Sequence, residues 1–195
     1  MHFFIKFPDF INTMAWWINL VFLILPIIYF FIYRKYHSEG TITEDLKKFF
    51  GLKKIKFESL YLGVKLFFIL IFVSIAINLI VSFALPQYND LENVRQNVMF
   101  YVESGKLVYF FVMLVIGVFL EEYFFRAFLV NRIGIFLSTL AFALLHYGYG
   151  SWVEMIGAFV LGLILAWYYK KHQDLFVNFY AHIVYNIFAI ILMLV

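Results

Sequence analysis

The chain has 195 residues, of which 65% are hydrophobic, 23% aromatic and only 14% charged, and its mean hydropathy is +0.92. Because a soluble domain is about half apolar and roughly a quarter charged, this composition excludes a water-facing globular protein and predicts an integral membrane protein. The absence of cysteine excludes disulfides, thiolate metal sites and a cysteine nucleophile, and with a net charge of only +3 we expect no nucleic-acid partner.

Hydropathy predicts six membrane spans joined by short loops, since each span needs roughly 20 apolar residues. The first apolar run is too long for a signal peptide, so we expect it to be a retained span. The fold class is therefore an all-α, polytopic membrane helical bundle of about six transmembrane helices. In chain order the spans are approximately Phe10–Tyr33, Leu60–Leu85, Lys106–Val130, Ile133–Tyr147, Ser151–Tyr169 and Leu175–Val195.

The placement of lysine and arginine predicts the orientation of these spans. If the spans alternate, the segments 34–59, 131–132 and 170–174 share one side and carry ten basic residues, against three on the other side. We therefore expect the basic loops to be cytoplasmic and both termini to lie outside. The basic stretch DLKKFFGLKKIKF within 34–59 is compatible with amphipathic helices on anionic headgroups. We favour the simpler interpretation that it is a topology signal.

Three formal charges stand inside the apolar third span, in the stretch VFLEEYFFRAFLV. Each would cost about 2.5–3.5 kcal/mol at the centre of a bilayer if it stood alone. Glu122 and Arg126 are four residues apart, with the acid first, so we expect them to neutralise each other on one helical face. Glu121 points about 100° away around the helix and has no partner in its own span. It requires a partner from another helix or a water-filled cavity.

Two histidines are candidates for that partner, because His146 and His182 lie in the fourth and sixth spans, while the other three histidines lie in loops or at the terminus. Asn186 follows His182 by one helical turn. At 1.5 Å per residue, Glu121, His146 and His182 lie about 12–21 Å from the predicted cytoplasmic ends. One polar cavity among three helices can therefore hold them all. Taken singly, a buried histidine or a Glu–Arg pair is also compatible with a structural role.

Three motifs follow one another, each in its own span: EEYFFR, FALLH and HIVYN, starting at Glu121, Phe142 and His182. In order and spacing they resemble the EExxxR, FxxxH and HxxxN motifs of the CPBP family of intramembrane proteases. This family comprises the CAAX proteases and bacteriocin-processing proteins, is also called Abi, and includes the type II CAAX prenyl endopeptidases. The stretch FVLG, ending at Gly162, is similar to a weaker glycine-bearing motif of the family.

The resemblance covers about Lys106–Val195, slightly under half of the chain, and implies a domain organisation. Residues 106–195 would form the four-helix catalytic core. Residues 1–105 would add two N-terminal helices and the basic cytoplasmic loop 34–59, within one integrated membrane domain. The implied activity is that of a hydrolase, an intramembrane endopeptidase that cleaves a membrane-associated substrate. A prenylated CAAX-type protein is one such substrate, and membrane lipid is the other expected partner.

The resemblance also implies roles for individual residues. Glu121 would be the general base that activates water, and His146 would share that water or a metal ion. His182 and Asn186 would polarise the scissile carbonyl and stabilise its oxyanion. The supporting roles fall to the second acid and the arginine of the first motif, Glu122 and Arg126.

The sequence does not decide whether a metal cofactor is bound, and it is compatible with two other functions. Glu121, His146 and His182 are an acceptable zinc set with water as fourth ligand, but activation of water by Glu121 and His146 needs no metal and is slightly favoured. One alternative function is a non-catalytic immunity or regulatory protein of the same family. Another is a proton-coupled transporter, against which stand the small size and the lack of an inverted repeat. Glu154, at the outer end of the fifth span, is interpreted as interfacial. A serine nucleophile lacks support, because Ser138 has no base nearby in the sequence. The residues identify neither the substrate nor the oligomeric state.

Overall fold

The computed structural model describes residues 7–38, 40–54, 56–84, 86 and 90–194, with side chains from Trp17 onward except that of Tyr149. Within these residues every regular element is helical, which confirms the predicted all-α class. A π-helical segment joins α5 to α6, and a short 3₁₀ turn follows α6. The helices are α1 Phe7–His37, α2 Ile42–Phe50, α3 Phe57–Ala84, α4 Leu91–Glu103, α5 Leu107–Glu121, the π-helical segment Glu122–Val130, α6 Asn131–His146, the 3₁₀ turn Tyr147–Tyr149, α7 Trp152–His172 and α8 Leu175–Leu194.

Five helical stretches in the described part of the chain are long and apolar enough to cross a membrane, and one of them, Leu107–His146, is 40 residues long. This stretch turns back at Gly134, whose φ of 85° and ψ of 172° are accessible almost only to glycine. Beyond the turn, Ser138 Oγ donates a hydrogen bond of 2.6 Å to the carbonyl of Phe125. The two arms therefore pack against each other, and counting them separately gives the six predicted spans.

The close approach of α6 and α7 depends on Gly162, the glycine of the FVLG stretch. A Cβ atom at this position would lie 2.9 Å from Thr139 Cγ2 and 3.1 Å from Phe142 Cδ1. Small residues allow membrane helices to approach closely, because van der Waals packing replaces the hydrophobic effect between helices in lipid. Gly162 thus sets the distance between α7 and the helix that carries Phe142 and His146.

The three basic segments lie together at one end of the bundle, as alternating spans predict. The backbone amide of Leu175 donates to the carbonyl of Gly51 at 3.1 Å, and Asn131 Nδ2 donates to Gln173 Oε1 at 3.1 Å. Helix α2 lies at the same end and packs its apolar side onto the bundle, since Phe50 is buried and its ring stacks on that of Tyr123 at 4.6 Å. The side of the membrane to which this end belongs stays a prediction.

Helix α4 occupies most of the predicted polar segment between the second and third spans and is joined to the start of α7. Asp90 accepts hydrogen bonds from Ser151 Oγ at 2.6 Å and from the backbone amides of Trp152 at 2.7 Å and Val153 at 3.2 Å. Partial burial alone would raise the pKa of Asp90, but these hydrogen bonds outweigh it and hold the pKa below its ordinary value. Asp90 thereby caps the first turn of α7, where Glu154 lies.

Candidate active site

The predicted Glu122–Arg126 pair is present at the start of the π-helical segment. Arg126 Nε lies 3.4 Å from Glu122 Oε2, and the two side chains are 1% and 0% exposed. The NH1 and NH2 groups of Arg126 are buried without a hydrogen-bond partner among the described residues, but Arg126 Cζ lies 4.0 Å from the centroid of the Phe142 ring. The ring face therefore compensates part of the charge that the carboxylate leaves unmatched. Segments of π-helix are rare and often occur at functional sites.

Glu122 also contacts two residues of α8. These contacts were not predicted from its pairing with Arg126. Its Oε1 atom lies 2.8 Å from His182 Nδ1, and its Oε2 atom accepts a hydrogen bond of 3.2 Å from Asn178 Nδ2. A carboxylate that faces Arg126 only accepts hydrogen bonds, so His182 Nδ1 carries a proton. Asn178 donates a second bond of 2.8 Å to the carbonyl of Leu165 in α7. The buried carboxylate thus fixes the orientation of the His182 ring.

Glu121 lies on the opposite side of the same imidazole. Its Oε2 atom is 4.0 Å from His182 Nε2, and 24% of its side chain is exposed. This distance is too long for a hydrogen bond but short enough for direct electrostatic interaction. The two neighbouring acids of the first motif therefore differ in their surroundings. Glu122 is enclosed and fully partnered, whereas Glu121 is accessible and faces the free nitrogen of His182.

His146 ends α6, and the phenylalanine of its motif connects it to the other residues. His146 Nδ1 lies 3.0 Å from the carbonyl of Phe142, and a carbonyl only accepts, so Nδ1 carries the proton and Nε2 of the neutral ring is an acceptor. The Phe142 ring centroid is 4.4 Å from that of His146 and 6.2 Å from that of His182. Phe142 therefore contacts both imidazoles and, as described above, the guanidinium of Arg126.

Asn186 lies one helical turn beyond His182 on α8. Its side chain is partly buried and forms no hydrogen bond with any residue that the structure describes. Its carboxamide can thus donate to a bound group. The structure consequently brings Glu121, Glu122, Arg126 and His182 into direct contact or close range, reaches His146 through Phe142, and leaves Asn186 beside His182. The catalytic roles of these residues stay predictions.

Two polar residues near the site, Asn178 and Glu154, were not among the predicted site residues. Asn178 precedes His182 by four residues, and its position inside an apolar span was the available signal. Glu154, interpreted as interfacial, interacts electrostatically with His146, His182 and Glu121. It lies one turn before Ala158, which packs in the same buried cluster as Phe142. Its position near the site follows from the pairing of α6 with α7, which the sequence does not reveal.

The hydroxyl and metal alternatives can be compared with this geometry. The Ser138 hydroxyl donates to the carbonyl of Phe125, so it is not paired with a base. No group of three or more histidine, aspartate or glutamate residues in the described part of the chain is arranged to hold a metal ion. The predicted zinc set of Glu121, His146 and His182 is therefore not assembled as a ligand cluster here. We derive no step through a metal, and zinc stays a prediction.

Comparison with known proteins agrees with the motifs. Residues 103–188 match the family model described as Type II CAAX prenyl endopeptidase Rce1-like. The matched segment runs from the end of α4 into α8 and includes all three motifs. No curated protein and no solved structure matches the chain. Residues 103–188 are therefore similar to the Rce1-like type II CAAX prenyl endopeptidases, the group that the motifs resemble.

Proposed function

We propose that the protein is an intramembrane endopeptidase in which Glu121 activates water to hydrolyse a peptide bond of a membrane-associated substrate. The observation that supports this most is the array Glu122–His182–Glu121. A buried acid holds one nitrogen of an imidazole, and the other nitrogen faces an accessible acid. This is an arrangement suited to a general base with a positioned proton donor. The family match supports the same class of reaction.

In the first step Glu121 accepts a proton from water while the water oxygen forms a bond to the scissile carbonyl carbon. His146 Nε2 is a second acceptor for the same water and orients it. The carbonyl oxygen becomes an oxyanion and requires hydrogen-bond donors. Asn186 supplies a neutral donor. His182 donates from Nε2 only when its ring carries both protons, because Nδ1–H is bound to Glu122.

In the second step the carbon–nitrogen bond breaks and the leaving amine takes the proton that Glu121 received from water. The products are a carboxylic acid end, which then loses its proton to solvent, and an amine end, and Glu121 returns to its ionised form. Glu121 thus acts as base and then as acid.

For the substrate, we propose a prenylated CAAX-type peptide. The match to the type II CAAX prenyl endopeptidase family supports this class, and so does the apolar surface around the site. Large hydrophobic side chains are exposed on the helices that carry the site, for example Leu144 and Leu145 of α6 and Val184 of α8. A lipid-modified peptide can reach the partly exposed Glu121 from the bilayer without leaving the apolar phase.

The test is reconstitution in liposomes with a prenylated CAAX-type peptide and a panel of transmembrane-segment peptides, with cleavage detected by mass spectrometry. We expect Glu121→Gln and His146→Ala each to lower the rate by about 10²–10⁴-fold, the usual contribution of acid–base catalysis. Glu103→Gln is the matched control, since Glu103 is exposed at the end of α4. Cleavage at the wild-type rate in Glu121→Gln would contradict the mechanism. A proton flux that Glu121→Gln abolishes, with no peptide cleaved, would instead support a transporter.

A further inference from the structure

A cavity lies at the basic end of the bundle, away from the three motifs. Its volume is about 390 Å³, which falls within the roughly 300–1,000 Å³ of small-molecule sites. The walls come from the end of α1, from α2 and from the turn that begins α6. None of the residues of the candidate active site lines it.

Arg132 is a cation of this cavity that lies among aromatic rings. Its Cζ atom lies 4.0 Å from the ring centroid of Phe49, 4.4 Å from that of Phe128 and 4.8 Å from that of Tyr29. One terminal nitrogen donates to the carbonyl of Phe128. The Nε atom is buried without a hydrogen-bond acceptor among the described residues. The guanidinium is thus oriented by three rings, and it makes no ion pair with a carboxylate in the part of the chain that the structure describes.

The other charged residues that line the cavity leave it positive. Arg34 of α1 and Lys48 of α2 contribute two further cations, and Asp45 is the carboxylate that lines it. Asp45 is already engaged, because its Oδ2 atom lies 2.9 Å from Arg34 Nε and accepts from Ser38 Oγ at 3.1 Å. With His37 neutral, the lining carries a formal charge of +2. A planar guanidinium next to an ammonium group is a combination that binds phosphate oxygens.

We propose that this cavity binds the phosphate of an anionic phospholipid headgroup. A lipid is favoured over a soluble phosphate because the outer surface of α1 beside the cavity is apolar: Ile28, Phe31 and Ile32 are more than half exposed. Acyl chains can lie on this surface while the headgroup enters between Arg132 and Lys48. The headgroup would then join α1, α2 and the turn of the α5–α6 hairpin. The basic stretch of α2 thereby has a specific ligand, besides its predicted role as a topology signal.

The experiment measures lipid binding by native mass spectrometry and by the shift in thermal unfolding of the detergent-purified full chain. The probes are phosphatidylglycerol, phosphatidylcholine and soluble inorganic phosphate. We expect phosphatidylglycerol to bind and to raise the unfolding temperature, and the two other probes to have little effect. Binding of soluble phosphate alone at the same concentration would overturn the assignment to a lipid. Equal binding of both lipids would overturn the requirement for an anionic headgroup.

Variants locate the site. We expect Arg132→Gln and Lys48→Gln each to weaken phosphatidylglycerol binding by roughly ten- to a hundredfold, since each removes charge-assisted hydrogen bonds. Lys48→Gln lies on a surface helix and keeps the test valid if Arg132→Gln does not fold. Lys54→Gln is the matched control, because Lys54 is exposed in the same basic segment but does not line the cavity. An equal loss in Lys54→Gln and Lys48→Gln would indicate diffuse surface attraction and would overturn the proposal.

Discussion

Arg126 and Arg132 lie only six residues apart in the sequence. Both guanidinium charges lie in apolar surroundings, but they are stabilised in different ways. Arg126 is 1% exposed and has a carboxylate at 3.4 Å and one ring face at 4.0 Å. Arg132 is partly exposed at the end of the bundle and is surrounded by three rings. An arginine that is paired with a carboxylate inside the protein holds helices together, whereas an arginine that has aromatic rings and a carbonyl but no carboxylate around it can still bind an external anion. The two regions are therefore expected to respond differently to mutation.

The largest effect on stability is expected when the Glu122–Arg126 ion pair is broken. Arg126→Ala leaves the buried Glu122 carboxylate without its cation, so we expect a loss of about 3–5 kcal/mol in the free energy of unfolding. The measurement is reversible unfolding in mixed detergent micelles. The double variant Glu122→Gln with Arg126→Gln should lose less than the two single changes added together. Arg132→Ala should lose clearly less than Arg126→Ala, and equal losses would contradict the distinction between the two arginines.

A smaller effect on stability is expected from displacing the ring of Phe142, which contacts several residues of the candidate site. Gly162→Ala places a Cβ against Thr139 and Phe142, so we expect an overpacking cost of about 1–3 kcal/mol and slower cleavage. Gly157→Ala on the same helix is the control, because a Cβ there meets nothing within 4 Å. Unfolding free energy and cleavage rate are measured for both. Wild-type behaviour of Gly162→Ala would show that α6 and α7 need not approach so closely.

The cap of α7 gives an acid-dependent prediction outside the membrane. The pKa of Asp90 lies below its ordinary value of 3.8, so its contribution to stability is complete above that value and is lost as the pH falls through the lower folded-state pKa. We expect Asp90→Ala to cost about 1 kcal/mol at neutral pH, a typical value for a helix cap. The difference from wild type should shrink in acid. A difference that does not change between neutral pH and pH 3 would refute this role.

The smallest effect is expected at Glu154. Its carboxylate interacts electrostatically with His146, His182 and Glu121, and we expect Glu154→Gln to change the rate by roughly tenfold or less. The more specific readout is a shift of the pH–rate profile, because Glu154 is a titratable carboxyl that interacts with groups that transfer protons. Glu103→Gln should leave the profile unchanged. An unshifted pH–rate profile in Glu154→Gln would contradict an influence of Glu154 on the site and would support a purely interfacial role.

The local features of the molecule could be predicted from the sequence. Hydropathy identifies the spans, and the spacing of four residues identifies the Glu122–Arg126 pair, because both signals lie within a single helix. The turn at Gly134, the π-helical segment and the position of Glu154 could not be predicted, since each depends on how two helices pack. Asn178 was missed for the same reason. The role of a carboxamide in an apolar span can be inferred only when its partner on another helix, here Glu122, is known.

The central claim is that the two neighbouring acids have separate tasks, and one paired measurement tests it most directly. Cleavage rate and unfolding free energy are measured on the same preparations of Glu121→Gln and Glu122→Gln. We predict that Glu121→Gln loses cleavage while its unfolding free energy stays within about 0.5 kcal/mol of wild type, because Glu121 is partly exposed and forms no hydrogen bond with the described residues. Glu122→Gln should lose both, because it holds Arg126, Asn178 and His182. Wild-type cleavage in Glu121→Gln, or unchanged stability in Glu122→Gln, would contradict the account.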